Sequence, residues 1–157
     1  MEKQRYNLLK ERYERMTAGR EKIDVLIEMT LEVRSTDAEK ALEMAEQIIQ
    51  ESEKTGYLAG MGEGLNHKGA CYWLMGEYED GLDELTEALS IAREIKNKIL
   101  EAKILNNFGR IYRNLGDLAH ALRNFESALE INEQNGNEIN QTINLTNSSN
   151  LYYDLGD

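Results

Sequence analysis

Residues 105–128 read LNNFGRIYRNLGDLAHALRNFESA, and residues 65–88, forty positions earlier, read LNHKGACYWLMGEYEDGLDELTEA. The register between them extends along the chain without a gap. Gly76, Gly116 and Gly156 are 40 apart, as are Tyr72, Tyr112 and Tyr152, and Leu65, Leu105 and Leu145. Leu42, Leu82 and Leu122 continue it, with Ala41, Gly81 and Ala121. Gly69 pairs with Gly109, Ala88 with Ala128, Leu89 with Leu129 and Ile91 with Ile131. Agreement across so many columns marks an internal repeat, and a repeat decides the fold before any single element does.

The columns have physical roles. Leu65, Gly69, Tyr72 and Gly76 are spaced four, three and four residues apart, which places them on one helical face. The small residue in that row, Gly69 or Gly109, lets a second helix approach closely. Glu77 and Asp117 follow the turn glycines and suit a helix start. Leu82, Leu85, Ala88, Leu89 and Ala92 then form one stripe, repeated as Leu122, Phe125, Ala128 and Leu129. Each unit is a helical hairpin that turns at Met75-Gly76-Glu77 or Leu115-Gly116-Asp117. Between units, Thr55-Gly56, Lys96-Asn97 and Asn135-Gly136-Asn137 share a register, where glycine and asparagine fit left-handed C-caps. The resulting helices are 20–35, 38–54, 58–75, 78–95, 99–115, 118–134 and 138–155.

Composition supports an all-α reading and narrows function. The 157 residues contain no proline, which leaves helices uninterrupted. Acidic residues outnumber basic ones 29 to 18, so the net charge of -11 repels a phosphate backbone and argues against nucleic acid as a partner. One cysteine, Cys71, and two histidines, His67 and His120, offer little for a metal site, an internal disulfide or a cofactor. No apolar run approaches the roughly 20 residues of a membrane span. The polar start, Met1-Glu2-Lys3-Gln4-Arg5, has no signal-peptide core, so a cytoplasmic location is expected.

At this point the chain resembles the tetratricopeptide repeat family. The resemblance rests on Leu105, Phe108-Gly109, Tyr112, Gly116, Leu118, Ala121, Phe125 and Ala128. The unit before matches with Leu65, Gly69, Tyr72, Gly76, Tyr78, Gly81, Leu85 and Ala88. It covers residues 20–157 and implies a right-handed superhelical solenoid of antiparallel helical hairpins. The chain departs from the family in period, about 34 in the family against 40 here, which suggests a longer-helix variant. Arg93 and Glu133 stand where a proline often ends the second helix. The first unit is degenerate: Thr36 replaces the turn glycine and Glu32 the tyrosine.

The ends differ from the middle. Tyr6, Leu9, Tyr13 and Met16 form an amphipathic stripe, and residues 1–18 are expected to cap the array. Residues 19–157 are expected to hold three hairpins and the first helix of a fourth, as a fragment of a longer protein cut at a repeat turn. That last helix would be open, so 138–157 is a candidate surface for a homodimer.

The resemblance implies a concave groove lined by the first helix of each hairpin and suited to a protein or peptide ligand. Its lining here would include Asn66, His67 and Trp73, then Lys103, Asn106, Asn107, Arg110 and Arg113, then Asn147 and Asn150. Carboxamides both donate and accept, so they can hold a peptide backbone whatever its side chains. Lys103, Arg110 and Arg113 make a basic patch that suits a carboxylate or an acidic peptide. Trp73 has two readings, an exposed binding hot spot or a ring packed under the N-terminal hairpin. Gly60-Met61-Gly62-Glu63-Gly64 lacks the preceding strand and following Lys-Ser/Thr of a phosphate loop, so these glycines either weaken the start of a helix, as a soft point or hinge, or permit close packing against Ala41 and Ala45. Asp80, Asp83, Glu84 and Glu87 form a solvated acidic stripe without a calcium loop's ligand pattern. Cys71, between Ala70 and Tyr72, reads as a packing residue.

No nucleophile, base and orienting group come together, so no catalytic residue is assigned and the chain is not expected to be an enzyme. The expected function is a protein- or peptide-binding module, the regulatory or sensory part of a larger bacterial signalling protein, with room for an output enzyme domain beyond this segment. The alternative is a scaffold that self-associates through its open C-terminal helix.

Overall fold

The structure is a computed structural model that describes residues 2–156. Met1 and Asp157, the outer limits of the expected cap and array, lie outside the described residues. Eight helices and no strand occur among the described residues: α1 (Glu2–Arg15), α2 (Arg20–Arg34), α3 (Ala38–Thr55), α4 (Leu58–Met75), α5 (Tyr78–Glu94), α6 (Lys98–Asn114), α7 (Leu118–Gln134) and α8 (Glu138–Leu155). The repeat-derived helices agree with α2–α8 to within one residue at each end.

Two columns of left-handed residues punctuate the chain. Gly76, Gly116 and Gly156 close α4, α6 and α8 with φ of 81°, 79° and 79°. Gly56, Lys96 and Gly136 close the alternate helices, with φ of 62°, 56° and 65°. Both columns step by 40 residues. In the second, lysine rather than asparagine takes the left-handed position, because Asn97 is already the N-cap of α6 and accepts the Leu100 N–H. Asp37, Asp117 and Asn137 do the same for α3, α7 and α8, accepting from Lys40, His120 and Asn140. Each oxygen satisfies one of the N–H groups that a helix start leaves without an internal acceptor. The degenerate turn closes differently. Thr36 is not left-handed; the N–H groups of both Thr36 and Asp37, and the Thr36 hydroxyl, converge on the Val33 carbonyl.

The chain divides into two compact units, residues 1–91 and 92–157. In the first, α1 packs on α2, α2 on α3, and α3 on α4. Its core is Leu9, Ile23, Val25, Leu26, Met29, Val33, Ala41, Met44, Ile48 and Cys71, joined by Tyr6, Tyr13 and Met16 from the N-terminal stripe. Polar ties supplement the burial of α1: Arg5 pairs with Glu32 at 3.0 Å, and the Gln47 amide donates to the Tyr13 hydroxyl at 2.9 Å. The glycine-rich run lies inside α4, so it is no phosphate loop. A Cβ on Gly64 would sit 2.8 Å from Ile49 Cγ1, 2.9 Å from Ile48 Cγ2 and 3.2 Å from the Ala45 carbonyl. Close approach to α3 therefore requires glycine there, with Ala45 among its nearest neighbours and Ala41 not. Gly60 lies instead against Ser52 and the Tyr57 ring.

In the second unit, α6 packs on α7 and α7 on α8, while α6 also touches α8. Ala121, Phe125 and Leu151 are fully buried together, with Tyr112, Leu118 and Leu122 packed around them. The close approach anticipated at Gly69 and Gly109 is present at both. A Cβ on Gly69 would meet Leu85 Cγ at 2.7 Å, and one on Gly109 would meet the Phe125 ring at 2.5 Å. Leu85 and Phe125 are themselves 40 apart, so the contact recurs with the sequence.

Candidate functional site

The packing just described leaves a second face on each first helix of a hairpin, and the candidate residues distribute unevenly over it. In the first unit, Asn66 and His67 are each only 4% exposed, so neither lines an open groove. Trp73 is half-buried. Arg34, at the end of α2, was not a sequence candidate, yet its Nη1 lies 3.2 Å from His67 Nδ1. A guanidinium only donates, so Nδ1 is the acceptor and the histidine proton sits on Nε2. Burial lowers the Arg34 pKa, partly opposed by Cys71 and Glu63 nearby. Burial likewise pushes the Cys71 thiol up to about 11, with Arg34 acting against it. Cys71 is fully buried and protonated at neutral pH, which suits the packing role read from sequence and not a nucleophile.

The second unit presents more. Lys103 and Asn150 are exposed, and Asn106, Arg110, Arg113 and Asn147 are half-buried. Asn107 is only 6% exposed and points into the fold rather than to a ligand. Lys103, Asn107, Arg110 and Arg113 already take part in contacts within the fold. The α6 face is thus a built surface, not a row of loose side chains.

Asparagines tie α8 to it. Asn106 Oδ1 accepts from Asn147 Nδ2 at 2.7 Å and from Asn144 Nδ2 at 3.0 Å. Asn144 Oδ1 in turn accepts from Asn132 Nδ2 at 2.6 Å, and Gln141 donates to the Asn132 carbonyl at 3.1 Å. Asn144 and Asn132 are 1% and 2% exposed, and Asn132 Oδ1 has no protein partner. The ladder α7–α8–α6 therefore spends Asn106 and Asn147 on helix-to-helix bonding and fixes the register of α8 beside α6. Neither Asn132 nor Asn144 was a sequence candidate, although one signal was available. Forty residues earlier their columns hold Ala92 and Ile104, both fully buried, so asparagine there means a polar pair placed in a core position.

At the start of α6, Glu101 is 5% exposed and accepts from Arg93 Nε at 2.9 Å and Lys98 Nζ at 2.7 Å. Burial would raise its pKa, but the hydrogen bonds from Lys98 and Arg93 prevail and hold it below the ordinary 4.5. This triad consumes two cations of the second unit in structure. At the start of α7, Asp117 caps the helix and its other oxygen lies 2.6 Å from His120 Nδ1, while the His120 ring stacks on Tyr112. The hydrogen bond from the His120 backbone N–H outweighs the opposing desolvation and, with the His120 ring, holds the Asp117 carboxyl below its usual range.

Among the described residues, no group of three or more His, Cys, Asp and Glu side chains is placed to hold a metal, and no helix is long and apolar enough to cross a membrane. What the α6–α8 face can do is hydrogen-bond and attract: cationic ends beside carboxamides, on an acidic chain.

Comparison with known proteins agrees with this architecture. Residues 60–134 match the family model described as tetratricopeptide repeat. No curated protein matches. Among solved structures, the chain is similar to BtubC (BKLC) from P. vanneervenii, with a TM-score of 0.69 at 19% identity, covering 99% of this chain and 67% of that one. At that identity the likeness concerns the fold alone. Repeats of this kind generally mediate protein–protein interaction and are typically non-catalytic. Residues 60–134 thus match the tetratricopeptide repeat, on a helical-repeat fold whose sequence period is 40 residues.

Proposed function

We propose that the chain is a protein- or peptide-binding module whose ligand lies along the α6–α8 face of the second unit. The observation that carries this reading is the cluster Lys103, Arg110 and Arg113 on one helix, in a chain of net charge -11. Their alignment at i, i+7 and i+10 keeps the charges along one side of α6. Asn150 and Thr146 extend the strip onto α8, and the Asn106–Asn147 bond holds the two helices side by side. A cationic strip flanked by carboxamides suits an extended acidic segment: the charges attract carboxylates, and the amides serve its backbone. Asn107, being buried, supports the face from within and does not touch the ligand, and the buried Asn66 and His67 of the first unit are not assigned to it. The wider reading, a regulatory or sensory part of a larger bacterial signalling protein, rests on the long-helix form of the repeat and is a proposal at the level of fold analogy.

The test is a selection of displayed random peptides on the chain, followed by affinity measurement for the wild type and for Lys103→Ala/Arg110→Ala. The reading expects enrichment of Asp- and Glu-containing peptides, binding that weakens with salt, and a loss of about tenfold or more in the variant at unchanged helicity. Peptides without acidic residues, or equal affinity for both proteins, would overturn it.

A further inference from the structure

Five positions of α6 share one stripe, at steps of four, three, four and three residues: Ile99, Lys103, Asn106, Arg110 and Arg113. The same columns recur on α8 as Ile139, Ile143, Thr146, Asn150 and Tyr153. The two stripes lie level. Asn106 accepts from Asn144 and Asn147, on either side of its own column mate Thr146. Tyr112, near the end of α6, and Leu151, near the end of α8, pack in one cluster, so the two helices run the same way. Ile99 therefore stands beside Ile139 at one end of the face, with Ile143 next in line, and they are 48%, 77% and 46% exposed. The exposure belongs to the columns. α6 has both α7 and α8 packed on it, yet no member of its stripe is buried.

The face is polarised along its length. Single exposed isoleucines are ordinary on a protein surface, whereas three together, bordered by polar side chains, form an apolar patch that a partner can cover. Cations near this end are already engaged: Lys98 and Arg93 both bond Glu101, at 2.7 and 2.9 Å. The opposite end carries Arg110 and Arg113, level with Asn150 and Tyr153, and Lys103 lies between. At a helical rise of about 1.5 Å per residue, Lys103, Arg110 and Arg113 lie about 6, 16 and 21 Å along α6 from Ile99. An extended peptide advances about 3.3 Å per residue, so those spans correspond to about two, five and six of its residues.

We infer that Ile99, Ile139 and Ile143 form an apolar subsite for one large aliphatic side chain of an acidic segment, whose carboxylates lie about two, five and six residues from it. This subsite rests on the acidic-ligand reading above and gives that ligand a fixed order, apolar at one end and charged toward the other. The probe is a labelled serine–glycine peptide with one leucine and with aspartates at those three spacings, made in both chain directions and measured by fluorescence anisotropy on the whole chain. Two companions keep the aspartates: one replaces the leucine by serine, the other moves it in among the aspartates. The proteins are the wild type, Ile99→Gln/Ile139→Gln and Lys103→Ala/Arg110→Ala. Both isoleucines are exposed, and circular dichroism checks that helicity is kept. In its better direction the leucine peptide should bind the wild type at least about tenfold more tightly than either companion. Ile99→Gln/Ile139→Gln should erase that difference and leave the affinity for the serine peptide unchanged, while Lys103→Ala/Arg110→Ala should weaken all three peptides. Equal binding of the three by the wild type, with the loss in Lys103→Ala/Arg110→Ala retained, would overturn the subsite and leave the acidic-ligand reading standing. A leucine preference that survives Ile99→Gln/Ile139→Gln would put the apolar contact elsewhere and overturn it too. Peptides that do not bind, or that bind the wild type and Lys103→Ala/Arg110→Ala alike, overturn both. Sedimentation velocity tests the other occupant: a wild-type dimer lost in Ile99→Gln/Ile139→Gln would give the patch to a second copy and overturn the inference.

Discussion

Removing the middle rung of the asparagine ladder should cost far more than removing a surface amide. Asn144→Ala deletes the acceptor of Asn132 Nδ2, at 2.6 Å, and the donor to Asn106 Oδ1, at 3.0 Å. Asn132 is 2% exposed, so its amide loses a partner where water cannot readily replace it, at about 1–3 kcal/mol. Asn106 keeps its 2.7 Å bond from Asn147 and is half-buried, so its share is smaller, about 0.5–1 kcal/mol. The sum is about 1.5–4 kcal/mol, borne by α8, whose only fully buried apolar side chain among the described residues is Leu151. The contrasting change is Asn132→Ala with Asn144→Ile, which installs the residues that Ala92 and Ile104 supply forty positions earlier. It removes both ends of the bond together, along with the partnerless Asn132 Oδ1, and should be near neutral or stabilising. Urea unfolding followed by circular dichroism gives the free energies, and hydrogen exchange over 138–155 reports α8 directly. A cost below about 0.5 kcal/mol for Asn144→Ala, or a double variant less stable than the single one, would refute the reasoning.

Further outcomes follow from single features. Lys96→Gly should raise stability by about 1 kcal/mol, because Lys96 adopts φ 56° where its column otherwise holds glycine; the urea midpoint reads this. Gly109→Ala should destabilise by about 1–2 kcal/mol despite alanine's better helix propensity, since its methyl would fall 2.5 Å from the fully buried Phe125 ring; thermal unfolding decides it. Glu101→Gln should cost about 1–2 kcal/mol near neutral pH. Because the native Glu101 pKa is depressed, that contribution is present above its unfolded value near 4.5 and is lost as pH falls through the native value, so the two unfolding curves should converge below pH 4.5. A gap that stayed constant with pH would remove the ion-pair explanation.

The helices were legible because a 40-residue period carries its own checks: turn glycines, capping residues and the Gly109-on-Phe125 contact all fall in register. Three things escaped for physical reasons. A helical wheel assigns a side to Asn66, His67 and Asn107 but does not say which neighbouring helix already occupies that side, so three residues read as groove-lining turned out to be buried. The left-handed position in the middle inter-unit turn went to Lys96 because Asn97 was committed to capping, a competition that residue preference alone does not settle. Arg34 escaped as well, since its partner His67 lies 33 residues away on another helix. Asn132 and Asn144 were within reach: the substitution of Ala92 and Ile104 by two asparagines in core columns announces a buried polar pair.

The most direct test of the ligand face is a nitrogen-15 heteronuclear correlation spectrum of the chain, titrated with an acidic peptide taken from the selection. The account predicts shifts concentrated at Lys103, Arg110, Arg113, Asn147 and Asn150, with α5 and the outer side of α7 unmoved. Shifts confined to α5 or to the outer side of α7 would contradict it and move recognition away from the α6–α8 face.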